Sequence, residues 1–168
     1  MGELDEVVKE FLDESRKLID SAEENLFELQ KNPENGELAK EPHRAAHTVK
    51  GSSAFLGFEN LSKFSALLED VMALIRDGKL VPNKEVMKTL FAAFNALRKF
   101  LDEIEKKGTT EFEPKDLQEK LEEIKSAPEK FKAVPEKVEK EEKVEVPEKV
   151  EAVEKPVPQV EGKKTEIR

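Results

Sequence analysis

The residues best suited to chemistry lie in one stretch, His43–Phe58, which contains both histidines of the 168-residue chain. Small and apolar residues recur in it at helical spacing. At about 100° per residue they place Val49 at the centre of an inward-facing side. His47 falls about 160° away from Val49. The pattern therefore predicts a helix that presents an imidazole on its outer face.

Small residues surround this imidazole. Gly51 and Ala54 fall on the side of His47, and Lys50 follows it by about one turn. A glycine inside a helix costs about 1 kcal/mol relative to alanine, so Gly51 needs a reason. Close packing of a neighbouring helix is one reason, and access of a large partner or a nucleotide to His47 is another. The shared face of Gly51 and His47 favours access.

A carboxylate that can serve this histidine lies on a later predicted helix. Glu69 follows an apolar stripe residue, so we expect it at the edge of the core and directed toward a neighbouring helix. An imidazole with one nitrogen bound to a carboxylate and the other exposed is a prepared nucleophile. The carboxylate fixes the tautomer and stabilises the positive charge formed on attack. Lys50 would partly neutralise a phosphoryl group arriving at the free nitrogen of His47.

Two other interpretations stay open on this reasoning. His43 and His47 are spaced i, i+4 and Glu69 could be a third metal ligand, but the H-E-x-x-H pattern of zinc enzymes is absent. His43 could also simply pack at a boundary between helices. A structural or adaptor bundle fits the apolar stripes but leaves Gly51 unexplained. The chain lacks other convincing metal ligands, so we expect no bound metal. It also has no glycine-rich phosphate loop, Ser-His-Asp arrangement or dinucleotide fingerprint, so we expect no bound cofactor and no ATP site in this chain.

The composition limits the partners and the compartment. Charged residues make up 40% of the chain and its net charge is −9, which argues against nucleic acid or an anionic membrane as the main partner. The chain has no cysteine, and so neither disulfides nor a thiolate metal site. No apolar run approaches the ~20 residues needed to span a bilayer, and the acidic N-terminus is unlike a signal peptide. We expect a cytoplasmic protein with no membrane insertion.

Helical spacing predicts an all-α domain at residues 1–126. The expected elements are four long amphipathic helices, over 4–31, from about Glu41 to Leu56, from Glu59 or Asn60 to Arg76, and from Asn83 to Gly108, then a short fifth helix from Pro114 to about Lys125. Four long helices with short loops favour an antiparallel up-and-down bundle, with the fifth helix packed outside or extending it. We expect this fragment to be monomeric.

The composition changes near Ser126. Residues 127–168 hold five of the nine prolines but only one of the ten phenylalanines, and Lys, Glu and Val dominate the segment. Near-repeats occur at Val134–Glu139 and Val146–Glu151. Prolines at this density favour extended, solvated backbone, so we predict a disordered C-terminal tail that acts as a flexible charged linker.

The segment Arg44–Phe58, followed by Leu67–Glu69 and Arg76–Gly78, resembles the histidine phosphotransfer (HPt) domain. The resemblance is to the form found at the N-terminus of chemotaxis kinases of the CheA type, and it covers about residues 3–107. Its core, His-x-x-Lys-Gly with a downstream Leu-Glu, is a specific pattern. The short fifth helix is also similar to that of CheA phosphotransfer domains.

The resemblance implies a role for each matching residue. It implies that His47 is the phosphorylated histidine and that Lys50 and Glu69 are its supporting pair. Gly51 matches the glycine that keeps the approach open, and Arg44 is the second supporting residue taken from the motif.

The same resemblance implies the partners. Such domains accept phosphate from ATP bound on a separate kinase domain, usually in trans within a dimer, and pass it to an aspartate of a response regulator. The segment Lys164–Arg168 resembles the residues before the CheA dimerisation helices. We therefore expect the N-terminal part of a CheA-like kinase, with a free-standing phosphotransfer protein as the alternative.

Two positions depart from the family pattern. CheA sequences commonly carry a second histidine three positions before the glutamate, where this chain has Ala66. They usually have an apolar residue before the arginine, where this chain has His43, preceded by Pro42. With Ala66 at the first position, this chain lacks the family's second imidazole, which could adjust the reactivity of His47. Neither departure removes the nucleophile, the lysine or the glutamate.

Overall fold

The computed structural model of the chain describes residues 5–131. Within them lie, in order, α1 Glu6–Lys31, a 3-10 turn Gly36–Ala39, α2 Lys40–Leu56, α3 Glu59–Arg76, α4 Lys84–Lys107, α5 Lys115–Ser126 and a 3-10 turn Pro128–Phe131. Helices α1 to α4 form an antiparallel up-and-down bundle, and α5 is the short fifth helix. The predicted all-α fold is confirmed.

Local signals in the sequence fix the helix ends. Gly57 and Gly108 take left-handed backbone angles, with φ of 89° and 79°, and end α2 and α4. Glycine adopts this conformation without the penalty of a side chain. The Asn83 side chain caps α4 by accepting a hydrogen bond of 2.8 Å from the Val86 N–H. Pro42 lies in the first turn of α2. Backbone N–H groups in that turn have no acceptor within the helix, so a proline costs no hydrogen bond there.

The 3-10 turn Gly36–Ala39 lies against the end of α3. A Cβ added to Gly36 would lie 2.8 Å from the carbonyl oxygens of both Ile75 and Arg76, so only glycine fits this approach. Helix α2 then begins at Lys40, close to the start at about Glu41 that the sequence predicts. This path places the start of α2 beside the end of α3.

All five helices contribute to one apolar core. Its largest fully buried side chains include three phenylalanines, Phe64, Phe94 and Phe100. Helix α2 contributes a narrow buried face of small residues, namely Pro42, Ala45, Ala46, Val49 and Ser53. Because these side chains are small, α2 packs closely against α1 and α3 and leaves its polar side in solvent.

Helix α5 packs on α3 and α4 and buries Leu121 and Ile124. The fifth helix therefore lies on the outside of the four-helix bundle, one of the two placements predicted. None of the helices between residues 5 and 131 combines the length and the hydropathy of a bilayer-spanning segment.

The chain after α5 continues as the 3-10 turn Pro128–Phe131. The Phe131 side chain packs against the core, and its carbonyl accepts a hydrogen bond of 3.3 Å from the Asn83 N–H. The composition of residues 127–168 predicts a disordered linker there. Of that predicted linker, residues 132–168 lie outside the part of the chain that the structure describes.

Candidate functional site

Helix α2 has a buried side and an open side at its centre. Val49 and Ser53 are fully buried, whereas the side chain of His47 is 62% exposed. The Ser53 hydroxyl donates to the Val49 carbonyl at 2.6 Å, which satisfies its polarity within the helix. From α3, the Ser62 hydroxyl donates to the Lys50 carbonyl at 3.2 Å and ties the two helices together beside the histidine. The exposed imidazole thus projects from a segment of α2 whose opposite side is buried and which is hydrogen-bonded to α3.

One carboxylate of α3 joins the polar residues of α2. The Nδ1 nitrogen of His47 lies 2.7 Å from Oε2 of Glu69, and the Lys50 ammonium lies 2.7 Å from Oε1 of the same residue. Glu69 is largely buried, with 13% of its side chain exposed. The structure thus brings His47, Lys50 and Glu69 together in one cluster on the α2–α3 surface.

Glu69 is ionised in this cluster. Burial alone would raise the pKa of its carboxyl, but the hydrogen bonds from Lys50 and His47 outweigh burial and hold that pKa below its usual value. An ionised carboxylate can only accept hydrogen bonds, so Nδ1 of His47 carries the proton. In the neutral imidazole, the other ring nitrogen, Nε2, then has a free lone pair, which is the arrangement of an imidazole nucleophile.

The space beside Gly51 is open. Between residues 5 and 131, no atom outside its own helix lies within 4 Å of a Cβ added to Gly51. No helix in this part of the chain packs against the glycine, so the packing explanation for it is wrong. Access to His47 is the explanation that remains.

A second imidazole lies beside the same carboxylate. His43 is 20% exposed, and its Nε2 is 3.7 Å from Oε2 of Glu69. Its ring is nearly parallel to that of His47, at 8°, with 6.4 Å between the ring centroids. The Arg76 guanidinium lies 3.3 and 3.4 Å from the two ring nitrogens of His43. Sequence reasoning gave Arg76 no role, although it follows Glu69 by seven positions, or two helical turns, on the same face of α3.

Arg44 lies apart from the cluster. Its guanidinium pairs with Glu41 of the same helix at 3.2 Å, and the Arg44 side chain is 63% exposed. Exposed i, i+3 pairs of this kind contribute little to stability. The contact of Arg44 within the described chain is therefore with Glu41 and not with the carboxylate that binds His47.

The metal interpretation of the histidines finds no support in the structure. Between residues 5 and 131, no group of three or more His, Cys, Asp or Glu side chains has the arrangement of a metal site. The Lys50 ammonium also binds Oε1 of Glu69, and a cation in that place disfavours a metal ion on the same carboxylate.

Sequence comparison places the chain in a family. The profile of the Hpt domain matches residues 6–127. Chemotaxis protein CheA of Borreliella burgdorferi is 38% identical to this chain over 99 residues, which are 59% of this chain and 12% of that protein. The chain therefore spans only a small part of the length of this curated relative.

Solved structures share the fold. The phosphorylated P1 domain of CheA3 from R. sphaeroides, crystallised in complex with CheY6, matches with a TM-score of 0.68 and 26% identity over 74% of this chain and 99% of that one. The CheA phosphotransferase domain from Thermotoga maritima matches with a TM-score of 0.56 and 28% identity over 60% of this chain and 98% of that one. The chain belongs to the Hpt domain family and is a phosphotransfer domain of the CheA type.

Proposed function

We propose that His47 is the residue that carries phosphate, with Glu69 and Lys50 as its supporting pair. The observation that carries this proposal is the hydrogen bond of 2.7 Å between Nδ1 of His47 and Oε2 of Glu69. It directs the protonated nitrogen toward α3 and leaves the lone pair of Nε2 on the opposite edge of a largely exposed ring.

The first step takes a phosphoryl group from ATP bound on a separate kinase domain, acting in trans. The Nε2 lone pair attacks the γ-phosphorus, a nitrogen–phosphorus bond forms, the bond to the β,γ-bridging oxygen breaks and ADP leaves. The ring keeps its Nδ1 proton and becomes positively charged. The Glu69 carboxylate, already 2.7 Å away, stabilises that charge without reorganising. Lys50 offsets part of the negative charge of the incoming phosphoryl group.

The second step passes the phosphoryl group to a response regulator. A carboxylate oxygen of a receiver-domain aspartate attacks the phosphorus, the nitrogen–phosphorus bond breaks and neutral His47 is restored. The open space beside Gly51 supports the approach of a folded protein to the ring. The phosphorylated P1 domain of CheA3, which is similar to this chain, has been crystallised in complex with CheY6.

We place these steps within a CheA-like kinase, since this chain matches 12% of the length of the Borreliella burgdorferi protein and the remainder of such a kinase would supply the ATP-binding domain. The cytoplasm, which supplies ATP, is the compartment that this proposal requires. The domain itself acts as a monomeric phosphate carrier.

A label-and-chase experiment tests the proposal. The purified chain is incubated with γ-labelled ATP and a CheA fragment that contains the dimerisation and ATP-binding domains, and a receiver domain is then added. We expect acid-labile, base-stable label on the chain and its loss to the receiver. No label from a kinase fragment that phosphorylates its own phosphotransfer domain, or label that the receiver cannot remove, would contradict the proposal.

A further inference from the structure

His43 lies where it can alter the electrostatic interaction between the Glu69 carboxylate and the His47 ring. Its Nε2 is 3.7 Å from Oε2, the same oxygen that accepts the hydrogen bond from Nδ1 of His47. Glu69 and His43 are both largely buried, at 13% and 20% exposed, so a charge placed on His43 would be poorly screened by solvent. Two imidazoles therefore lie beside one carboxylate oxygen, and only that of His47 is within hydrogen-bond distance of it.

Four charged or titratable groups face His43. They are Glu69 and Arg76 from α3, Asp77 directly after α3, and His47 from its own helix. Burial lowers the pKa of the His43 imidazole, and the Arg76 guanidinium, 3.3 Å away, lowers it further. The Glu69 carboxylate acts in the opposite direction but is outweighed. His43 is therefore neutral at and above neutral pH.

We infer that His43 is a positioning residue for phosphorylation of His47. It is a neutral imidazole that covers one side of Oε2 of Glu69, and because it is neutral the negative charge of that carboxylate acts on the His47 ring. The inference rests on the proposed role of His47 as the phosphate carrier. A cation in place of His43 would compete for Oε2 and would repel the positive ring formed when His47 attacks phosphorus. A neutral polar side chain would do neither.

Acid is expected to produce the same cation in the native protein. As pH falls through the lowered pKa of His43, the imidazole gains a proton and becomes a cation beside Glu69. The Arg76 guanidinium opposes that protonation. Replacing Arg76 by an uncharged residue therefore moves the protonation of His43 to higher pH.

A charge series at residue 43 tests the inference. His43→Gln and His43→Lys alter the same partly buried position and differ in charge, so each is the structural control of the other. At neutral pH, where His43 is uncharged, we expect His43→Lys to be labelled about tenfold more slowly than His43→Gln. Equal rates for the two variants would overturn the inference.

A double-mutant cycle shows whether the effect passes through Glu69. In a Glu69→Gln background, His43→Lys is expected to slow labelling by a smaller factor than in the wild-type background, since only its repulsion of the charged His47 ring remains. If His43→Lys slows labelling by the same factor in both backgrounds, His43 does not act through Glu69 and the inference is wrong.

An NMR titration tests the electrostatic basis without any kinase. The chain has two histidines, so their ring signals are readily assigned with His43→Gln. We expect the His43 signal to titrate below the usual 6.5 and to move upward in Arg76→Gln. A midpoint at or above 6.5, or one unmoved by Arg76→Gln, overturns the inference whether or not His47 is phosphorylated. Conversely, an unlabelled wild-type chain with the expected titration would contradict the proposed function and not the charge relationship.

Discussion

Nδ1 of His47 on α2 lies 2.7 Å from Oε2 of Glu69 on α3, and the carboxylate is ionised before any partner binds. The bond depends on two adjacent antiparallel helices, connected by the two residues Gly57 and Phe58. Because the bond already selects the tautomer with a free Nε2, the proposed phosphate carrier has this lone pair available without a conformational change.

The first prediction concerns the charge of Glu69. Glu69→Gln keeps an acceptor oxygen but removes the negative charge that stabilises the ring during transfer. We expect the rate of phosphorylation to fall about 10- to 100-fold, the equivalent of the ~1.5–3 kcal/mol typical of a hydrogen bond to a charged group. Initial rates of label incorporation measure this effect.

Glu41→Gln is the matched control for Glu69→Gln, because Glu41 is a carboxylate paired with exposed Arg44. We expect it to leave the rate unchanged. Equal labelling of wild type and Glu69→Gln would refute the role assigned to this carboxylate. A fall in thermal stability large enough to explain the lost rate would refute it as well.

Two glycines are predicted to respond in opposite ways to the same substitution. Gly51→Ala adds a Cβ that meets nothing within 4 Å in the described part of the chain and improves helix propensity, so the free energy of unfolding should rise by up to about 1 kcal/mol. Gly36→Ala places a Cβ 2.8 Å from two backbone carbonyl oxygens, so stability should fall by about 1–3 kcal/mol. Denaturant unfolding of both variants measures the two signs, and a shared sign would contradict this account of the glycines.

Access beside His47 is tested by the size of the side chain at residue 51. Gly51→Leu should place a bulky side chain in the open space next to the ring and slow transfer of phosphate to a receiver domain, while the fold is retained. Gly51→Ala is the size control and should transfer phosphate at nearly the wild-type rate. If Gly51→Leu transfers phosphate as fast as Gly51→Ala, the approach does not pass over this residue.

Stability should decrease in acid because carboxyl groups have lowered pKa values in the folded state. Glu69 is one, as described above. Glu103 is another: burial alone would raise its pKa, but the neighbouring Thr110 side chain and hydrogen bonds from the backbone N–H groups of Glu111 and Phe112 lower it below 4.5. A lowered folded pKa means that the unfolded chain binds more protons. The stabilisation is thus fully present above about pH 4.5 and is lost as pH falls through the folded values.

Denaturant unfolding across the acid range measures this dependence on pH. Glu103→Gln and Glu69→Gln should each be less stable than wild type near neutral pH, and each should lose less stability on acidification. An unchanged dependence on pH in both variants would contradict the ionised, hydrogen-bonded state of these carboxyls.

The sequence predicted those features that depend on local signals. Gly57 and Asn83 fixed the helix ends, and the spacing of Val49 and His47 predicted which side of α2 is buried. The cluster of His47, Lys50 and Glu69 was predictable because Glu69 lies at the edge of an apolar stripe on the next helix.

Features that depend on how helices pack were not predictable. The approach of Gly36 to Ile75 and the contact of His43 with Arg76 depend on the rotation and offset of α2 against α3, which apolar periodicity does not determine. The packing of Phe131 against the core depends on the path of the chain after α5, in a segment whose composition indicates a linker. The linker itself stays a prediction for residues 132–168.

The most direct test of the central claim compares three chains side by side: wild type, His47→Gln and His43→Gln. Each is incubated with labelled ATP and the CheA fragment in trans, and acid-labile, base-stable label is counted. His47 as the phosphate carrier predicts label on wild type and His43→Gln and none on His47→Gln, with all three chains folded by circular dichroism. Label that persists on His47→Gln, or that disappears only from His43→Gln, would show that the phosphate is carried elsewhere.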